Sequence, residues 1–376
     1  MLFRAPLDPG HLFFVAFVAS SLAIALVVRA VRGSELPLRE FLFPARLYRT
    51  RAFRLDLLFA LVNQALYGVL VTGAALGADR AAEAIAGAAD RLGVAPPGLA
   101  FGPLAAAALL AALFVARDFG VFAAHALQHR VPLLWAFHKV HHTTTALTPL
   151  SALRAHPVDD VFGHALSASL AALVGGAFRF AYGEAVTAEA LAGAGVVVFW
   201  FHLAGHHLRH SHVWLAYGPW LGRILVSPAA HQIHHSRAPR HWNRNLGQFL
   251  AIWDGLFGTL CLPGRDPEAI DYGVSEAEDA RFTTVARLYF LPFADAARYA
   301  RSTAVRLSRT MTRSSSSASS GMLSGWAVYE EALRRGAYLR PLGSVVYVAP
   351  PLNIPDEALD ELLVIVRDSL TAVLRA

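Results

Sequence analysis

Residues 125–142 read HALQHRVPLLWAFHKVHH, and five of these eighteen positions are histidine where the chain average, 17 in 376, predicts about one. The stretch directly follows an apolar run from Leu99 to Ala116, itself introduced by Pro96 and Pro97. His125 and His129 lie four apart, which on a helix puts both side chains on one face with Cβ atoms ~5–6 Å apart. His138, His141 and His142 follow the spacing i, i+3, i+4, which also faces one way. The HxxHH pattern recurs as His231, His234 and His235 in HQIHHS. Between the two copies lies HLAGHHLRHSH, where His202/His206 and His206/His210 are both four apart and His207 and His212 accompany them.

A lone histidine on an apolar helix is more often a packed residue than a ligand, and a single i, i+4 pair arises easily by chance. Two HxxHH copies and two HxxxH pairs at the ends of apolar segments point to metal. Charged, these clustered imidazoles would repel one another; neutral, each offers a lone pair. Ions of four to six ligands, set against about ten histidines, make two ions the natural count. Imidazole suits zinc, copper, iron and nickel alike. Structural zinc rarely needs more than four ligands, so a paired, ligand-rich site beside apolar segments points to redox chemistry.

The composition is that of a membrane protein: 55% hydrophobic and 16% charged, against about 25% charged in soluble domains. The net charge of +6 comes from arginine, since Lys139 is the sole lysine. These arginines flank apolar segments rather than line a polar face, which argues against a nucleic-acid partner. Leu12–Val28, Leu57–Leu76 and Leu99–Ala116 are the expected spans, with Val161–Phe178 and Ala190–Phe201 as a weaker hairpin. Arginines, not a small-residue cleavage site, follow the first of them, so it reads as a span rather than a signal peptide. Seven arginines between Arg29 and Arg54 place the first loop in the cytoplasm, while the second loop balances Arg80 and Arg91 with acids. Followed through the spans, every histidine cluster then falls on the cytoplasmic face of a bacterial-type inner membrane. One cysteine, Cys261, excludes a disulfide framework and a cysteine-based metal site.

The order HxxxH, HxxHH, HxxxH, HxxHH resembles the fatty acid hydroxylase / sterol desaturase superfamily of membrane di-iron enzymes. The phrases RDFGVFAAHALQHRVPLLWAFHKVHH, RAHPVDD, GHHLRHSHVWLAYGP, SPAAHQIHHS and NLGQFLAIWDGLFGTL look like its successive landmarks, over roughly residues 40–290. The resemblance implies two iron ions, dioxygen, and hydroxylation or desaturation of an unactivated C–H bond in a membrane lipid. Carried over by motif, the metal ligands are His125, His129, His138, His141, His142, His206, His210, His231, His234 and His235. His202 is the alternate partner of His206, and His207 a bystander. Ligating histidines usually give their other N–H to a carboxylate or carbonyl. Asp118, two turns before His125, and Asp159, in HPVDD, are the leading candidates, with Asp254 a third; His156 reads as structural. The chain shows neither a dinucleotide-binding glycine fingerprint nor an HPGG-type haem phrase, so electrons are expected from an external ferredoxin- or cytochrome b5-like donor.

The tail reads differently. RSSSSASSG is a flexible linker by composition. Beyond it, WAVYEEALRRG reads as a helix ended by Gly336, SVVYVAP as a strand, and the chain from Pro355 as a helix with an apolar stripe of Leu359, Leu362, Val366, Leu370 and Val373. RRGAYLRPLGSVVYVAPPLNIPDEALDELL resembles the carboxy-terminal end of class III pyridoxal-phosphate aminotransferases of the biotin-pathway type. That family needs a Schiff-base lysine, and Lys139 lies inside the first histidine block, so aminotransferase activity is not expected. The sequence thus predicts an all-α integral membrane helical bundle with a cytosolic, histidine-lined helical cap and a small α/β C-terminal appendage. Its expected divisions are 1–265 (histidine-box domain), 266–312 (membrane-associated helical extension), 313–325 (serine-rich linker) and 326–376 (aminotransferase-like fragment). The competing function is a non-enzymatic membrane metal or haem binder. Haem needs one or two axial histidines rather than sets of three, and a transporter should carry polar groups in mid-span, where only Asn63 and Gln64 stand in the second span.

Overall fold

Pro103 opens the central helix: Gly102 before it is extended, and Pro103 takes the first-turn position where a missing N–H costs nothing. An alanine- and leucine-rich run then propagates the helix to Arg130. The computed structural model describes residues 15–187, 190–191, 194–314, 325–337, 339–342, 345–347 and 355–375. The helices that matter here are α1 (Val15–Val31), α2 (Arg51–Arg91), α3 (Pro103–Arg130), α4 (Pro132–His142), α5 (Pro157–Tyr182), α6 (Ala194–Leu203), α7 (Pro228–His234), α8 (Ile252–Leu256) and α9 (Val285–Ser314). Two of them, α3 and α5, are long and apolar enough to cross a membrane.

α5 packs against both α2 and α3. Its buried face is built from small residues, Ser167, Ala171, Ala172, Gly175 and Gly176, which lets neighbouring backbones approach. The closest approach is at Gly120 of α3, where a Cβ would stand 2.5 Å from the Ser167 Cα. Ser167 Oγ donates there to the Arg117 carbonyl at 3.0 Å. Large side chains point away from this contact, among them Leu104 and Leu173, 85% and 54% exposed. Such an outward apolar surface suits lipid better than water.

The expected spans meet the structure unevenly. Val161–Phe178 and Leu99–Ala116 fall largely within α5 and α3, and Leu57–Leu76 lies inside the 41-residue α2. Residues 12–14 lie outside the described residues, so of the first span only the 17-residue α1 is seen. Ala190–Phe201 corresponds to α6, whose 10 residues rise only ~15 Å. Residues 188–189 and 192–193 lie outside the described residues, so only this part of the hairpin's second arm is seen.

α4 is held in place by ions on both sides. Arg154, fully buried, donates to Asp56 of α2 at 2.9 Å, to the Val140 carbonyl at 3.2 Å and to Thr143 Oγ1 at 3.0 Å. Lys139 is buried between Glu278, at 2.9 Å, and Asp295. Breaking one partner of such a buried pair leaves a stranded charge and costs several kcal/mol (~3–5). The sole lysine is thus committed to holding α4.

The chain divides by contacts into residues 1–296 and 297–376. In the second unit, α10 (Gly325–Arg334) and α11 (Asp356–Arg375) accompany an antiparallel pair, β1 (Arg340–Leu342) and β2 (Val345–Tyr347). Val328, Ala332 and Leu339 form a small core covered by Leu362, Ile365, Val366, Leu370 and Val373. Gly336, at φ +89°, ends α10, with the Ala337 N–H reaching back to the Ala332 carbonyl at 2.9 Å. The serine-rich stretch from residue 315 to 324 lies outside the described residues.

Candidate metal centre

α3 cannot continue past Arg130, because the residue before a proline is driven out of the helical region. Val131 is extended, at φ −100° and ψ 113°, and Pro132 starts α4. The reversal brings His125 and His129 of α3 against His138 and His142 of α4. The Nε2 atoms of His125 and His138 are 3.1 Å apart, and those of His138 and His142 3.2 Å. His234 completes a first group of five, with His125, His129, His138 and His142. A second group of four comprises His141, His210, His231 and His235. Here His210 Nε2 lies 3.3 Å from His141 Nε2, 3.1 Å from His235 Nε2 and 3.2 Å from His231 Nε2.

Each HxxHH block is therefore shared between two sites, in opposite senses. α4 sends His138 and His142 to the first group and His141 to the second. α7 sends His234 to the first, while His231 and His235, at its C-terminal cap, go to the second. α7 itself is fixed by Ser227, whose side chain caps the Ala230 N–H, and by Pro228 in its first turn. The two groups adjoin: the His142 and His235 rings stack with centroids 4.6 Å apart.

The outer nitrogens fix the tautomers of three rings in the first group. His125 Nδ1 donates to the Leu246 carbonyl at 2.8 Å and His234 Nδ1 to the Arg244 carbonyl at 2.8 Å. His138 Nδ1 donates to Asp159, 3.0 Å from Oδ2. With the proton on Nδ1, each Nε2 carries a lone pair. His125 Nε2 and His138 Nε2, 3.1 Å apart, then cannot bond to each other. Two nitrogens ~2.1 Å from one ion at a right angle stand ~3.0 Å apart, so a shared cation satisfies both. The Nε2 atoms of His129 and His234 are likewise buried without a hydrogen-bond partner. This donor set fits a metal ion.

Burial keeps the rings neutral. It lowers His138 to about 3. Burial first, and then mutual repulsion, hold His142, His210, His231, His234 and His235 well below the usual imidazole range.

Nine of the ten expected ligands thus come together, and the tenth does not. His206 belongs to neither group. After Gly205, at φ +88°, a short 3-10 turn from His206 to His210 points the two residues to different places. The His206 ring instead packs at a tilt against His202, centroids 4.4 Å apart, and His202 bonds the Val198 carbonyl at 2.8 Å. Neither register of a four-residue pair brings both its rings into one group; of His202, His206 and His210, only His210 joins one. His207 also stands outside both groups, and so does His212, bonded to the Phe41 carbonyl at 2.6 Å.

Of the carboxylates, Asp159 stands against His138, and Gln128 donates to it at 2.5 Å. The expectation for Asp118 needs correction. It accepts from the N–H groups of Phe249 and Leu250, at 3.0 and 3.1 Å, and from Trp253 Nε1 at 2.9 Å, rather than from a histidine ring. Asp254 acts one step behind His125: it accepts from Leu246 N at 2.7 Å, Gly247 N at 2.9 Å and Thr259 Oγ1 at 2.6 Å. That fixes the carbonyl on which His125 rests. His156 caps α5, accepting from the Val158 N–H at 3.1 Å.

Sequence reasoning overlooked the loop at Asn243–Gly247. Asn243 and Asn245 adopt φ +57° and +54°, a left-handed conformation that asparagine tolerates. A Cβ on Gly247 would stand 2.7 Å from the Leu250 carbonyl oxygen. The signal was the phrase NRNLG, with its turn-forming asparagines and glycine.

All nine converging histidines lie in one continuous segment. Residues 110–259 match the fatty acid hydroxylase family. The matched segment also contains Asp118, Asp159 and Asp254. Over 162 residues the chain is 34% identical to an ornithine lipid hydroxylase of Rhizobium tropici, covering 43% of this chain and 44% of that protein. It is 28% identical over 162 residues to an alkylglycerol monooxygenase of Xenopus tropicalis, covering 43% and 32%. Over 148 residues it is 28% identical to a Delta(7)-sterol 5(6)-desaturase of Candida glabrata, covering 39% and 34%. The chain spans less than half the length of each of these relatives. No solved structure matches it.

Proposed function

We propose that this chain is a membrane-bound oxidoreductase that hydroxylates or desaturates a C–H bond of a lipid, using two iron ions, dioxygen and electrons from an external donor. The observation that carries this reading is the pair of adjoining histidine groups, whose Nε2 atoms stand 3.1–3.3 Å apart. Bound iron would supply the oxygen chemistry. The protein's part is to hold, orient and shield. His125, His129, His138, His142 and His234 would hold one ion, and His141, His210, His231 and His235 the other. Asp159 and the carbonyls of Arg244 and Leu246 orient rings of the first group. Seven of the nine rings are buried, which excludes bulk water from the centre.

The same spacing favours single ions over haem. Two axial ligands on opposite sides of a haem iron stand ~4 Å apart at metal–nitrogen lengths of ~2.1 Å, wider than the contacts here. The relatives named above act on an ornithine lipid, alkylglycerols and a sterol, so the lipid class remains open within the proposal. The arginine-rich loop between α1 and α2 supports placing the histidines at the cytoplasmic face.

Metal analysis of the detergent-purified full chain, paired with lipid mass spectrometry of host cells with and without the gene, tests this reading. We expect about two irons per chain and a host lipid that gains one oxygen or loses two hydrogens. Less than about one iron per chain with a strong haem band would move the protein to the cytochrome class.

A further inference from the structure

A cavity of about 330 Å³ has among its lining residues Arg209, which precedes His210, and Pro228, three positions before His231; it is at the small end of the ~300–1,000 Å³ range of ligand pockets. Ile24, Phe201, Leu215, Leu221 and Val226 give it apolar walls, and Arg209 is among its polar lining residues. Arg209 is buried, 6% exposed. Its Nη2 donates to the Val226 carbonyl at 3.4 Å, and its guanidinium lies 5.7 Å from the centre of the Phe249 ring. Its Nη1 has no hydrogen-bond partner. Asp118, the carboxylate whose charge reaches it, is already occupied by three donors. A cation taken out of water with donors left over is costly unless a partner arrives. The planar guanidinium fork matches the two oxygens of a carboxylate or phosphate. Arg209 lines the cavity and directly precedes His210 in the chain, which brings whatever it binds near the second histidine group.

We propose that this cavity receives the acidic end of an acyl-chain lipid, its carboxylate or phosphate held by Arg209 and the adjoining methylenes by the apolar walls. The inference rests on the lipid-oxidation reading, but its test is separate. It uses the iron-loaded full chain in neutral detergent at pH 8, with a fluorescent polyene fatty acid as the probe. Oleate, oleyl phosphate, oleyl alcohol and inorganic phosphate serve as competitors. We expect oleate and oleyl phosphate to displace the probe at least tenfold more tightly than oleyl alcohol, and inorganic phosphate not to compete. Arg209→Gln should erase that tenfold preference while leaving oleyl alcohol displacement and iron content unchanged, and Arg209→Lys should restore part of it. Should Arg209→Gln fail to fold, Leu221→Trp, which fills the cavity from another wall, should lose oleate binding with both irons retained.

Wild type that keeps two irons yet binds oleate and oleyl alcohol equally would overturn this inference alone. So would competition by inorganic phosphate at the same concentration, equal loss of both ligands in Arg209→Gln, or undiminished oleate binding by Leu221→Trp. Absence of iron from wild type would count instead against the di-iron reading.

Discussion

The two histidine groups are alike in their inner nitrogens and unlike in their outer ones. In the first, His125, His138 and His234 each give the outer proton to a fixed acceptor: the Leu246 carbonyl, Asp159 and the Arg244 carbonyl. In the second, the Nδ1 atoms of His231 and His235 are buried without a hydrogen-bond partner. Those rings are oriented by the capped helix α7 and by packing, such as the stack of His235 on His142. An acceptor at the outer nitrogen fixes the tautomer and raises ligand basicity. On the di-iron reading proposed above, three rings of the first group are set before a metal arrives, whereas His231 and His235 must take their tautomers as the metal binds. The lesson is that the two ions should be held unequally.

The largest effect should come from removing a ligand of the weaker group. His231→Ala takes one of four nitrogens from the second group and none from the first. Turnover should fall below detection, while metal analysis should still find about one iron per chain. Two irons, or none, would show that the groups do not fill independently and would break the comparison.

Acid comes next. Burial, joined by repulsion from neighbouring rings at His231 and His235, holds His138, His231 and His235 below their ordinary value of about 6.5. As pH falls below about 6.5, the unfolded chain takes up protons that the folded protein refuses. Stability is therefore complete above that value and declines through the range down toward 3. The melting temperature should be flat between pH 7 and 8 and drop progressively below 6.5. Iron should leave in two steps, the second group emptying first. A single concerted release would mean that the anchored nitrogens confer no advantage.

Asp159→Asn tests the anchoring directly. The amide retains an oxygen for His138 and for Gln128 but lacks the carboxylate charge. Loss of such an outer partner typically costs ~10–100-fold in metal affinity. That loss should appear only in the more tightly held iron, measured by chelator competition. An equal loss from both ions would place Asp159 outside the role assigned to it.

The sequence carried the histidines clearly, because a four-residue spacing at the end of an apolar helix reports a shared face whatever the rest of the chain does. It could not report which of two sites a ring would join. His138, His141 and His142 look like one set until α7 arrives from ninety residues away and divides them. His206 failed for a local reason: the spacing rule presumes a helix, and Gly205 at positive φ breaks α6 just before it. Asp118 failed for a distant one. Its partners, Phe249 to Trp253, lie more than 130 positions along the chain, and no local pattern announces such a contact. Asp159 was legible from its phrase, HPVDD; the structure puts it in the first turn of α5, where it meets His138.

The smallest effect tests how far the anchoring extends. Asp254 never touches a histidine, yet it holds the Leu246 peptide whose carbonyl holds His125. Thr259→Val removes one of its three donors and keeps the side-chain shape. The two backbone donors remain, so the loss of stability should be that of a single buried hydrogen bond, about 1 kcal/mol. Part of it should be felt as a few-fold weaker hold on the first group's iron, with the second unchanged, because only His125 stands on that peptide. Chelator competition on the purified protein reads both quantities. If metal retention is unaltered while the melting temperature drops, Asp254 secures the loop only, and the anchoring of the first group ends at the carbonyls themselves.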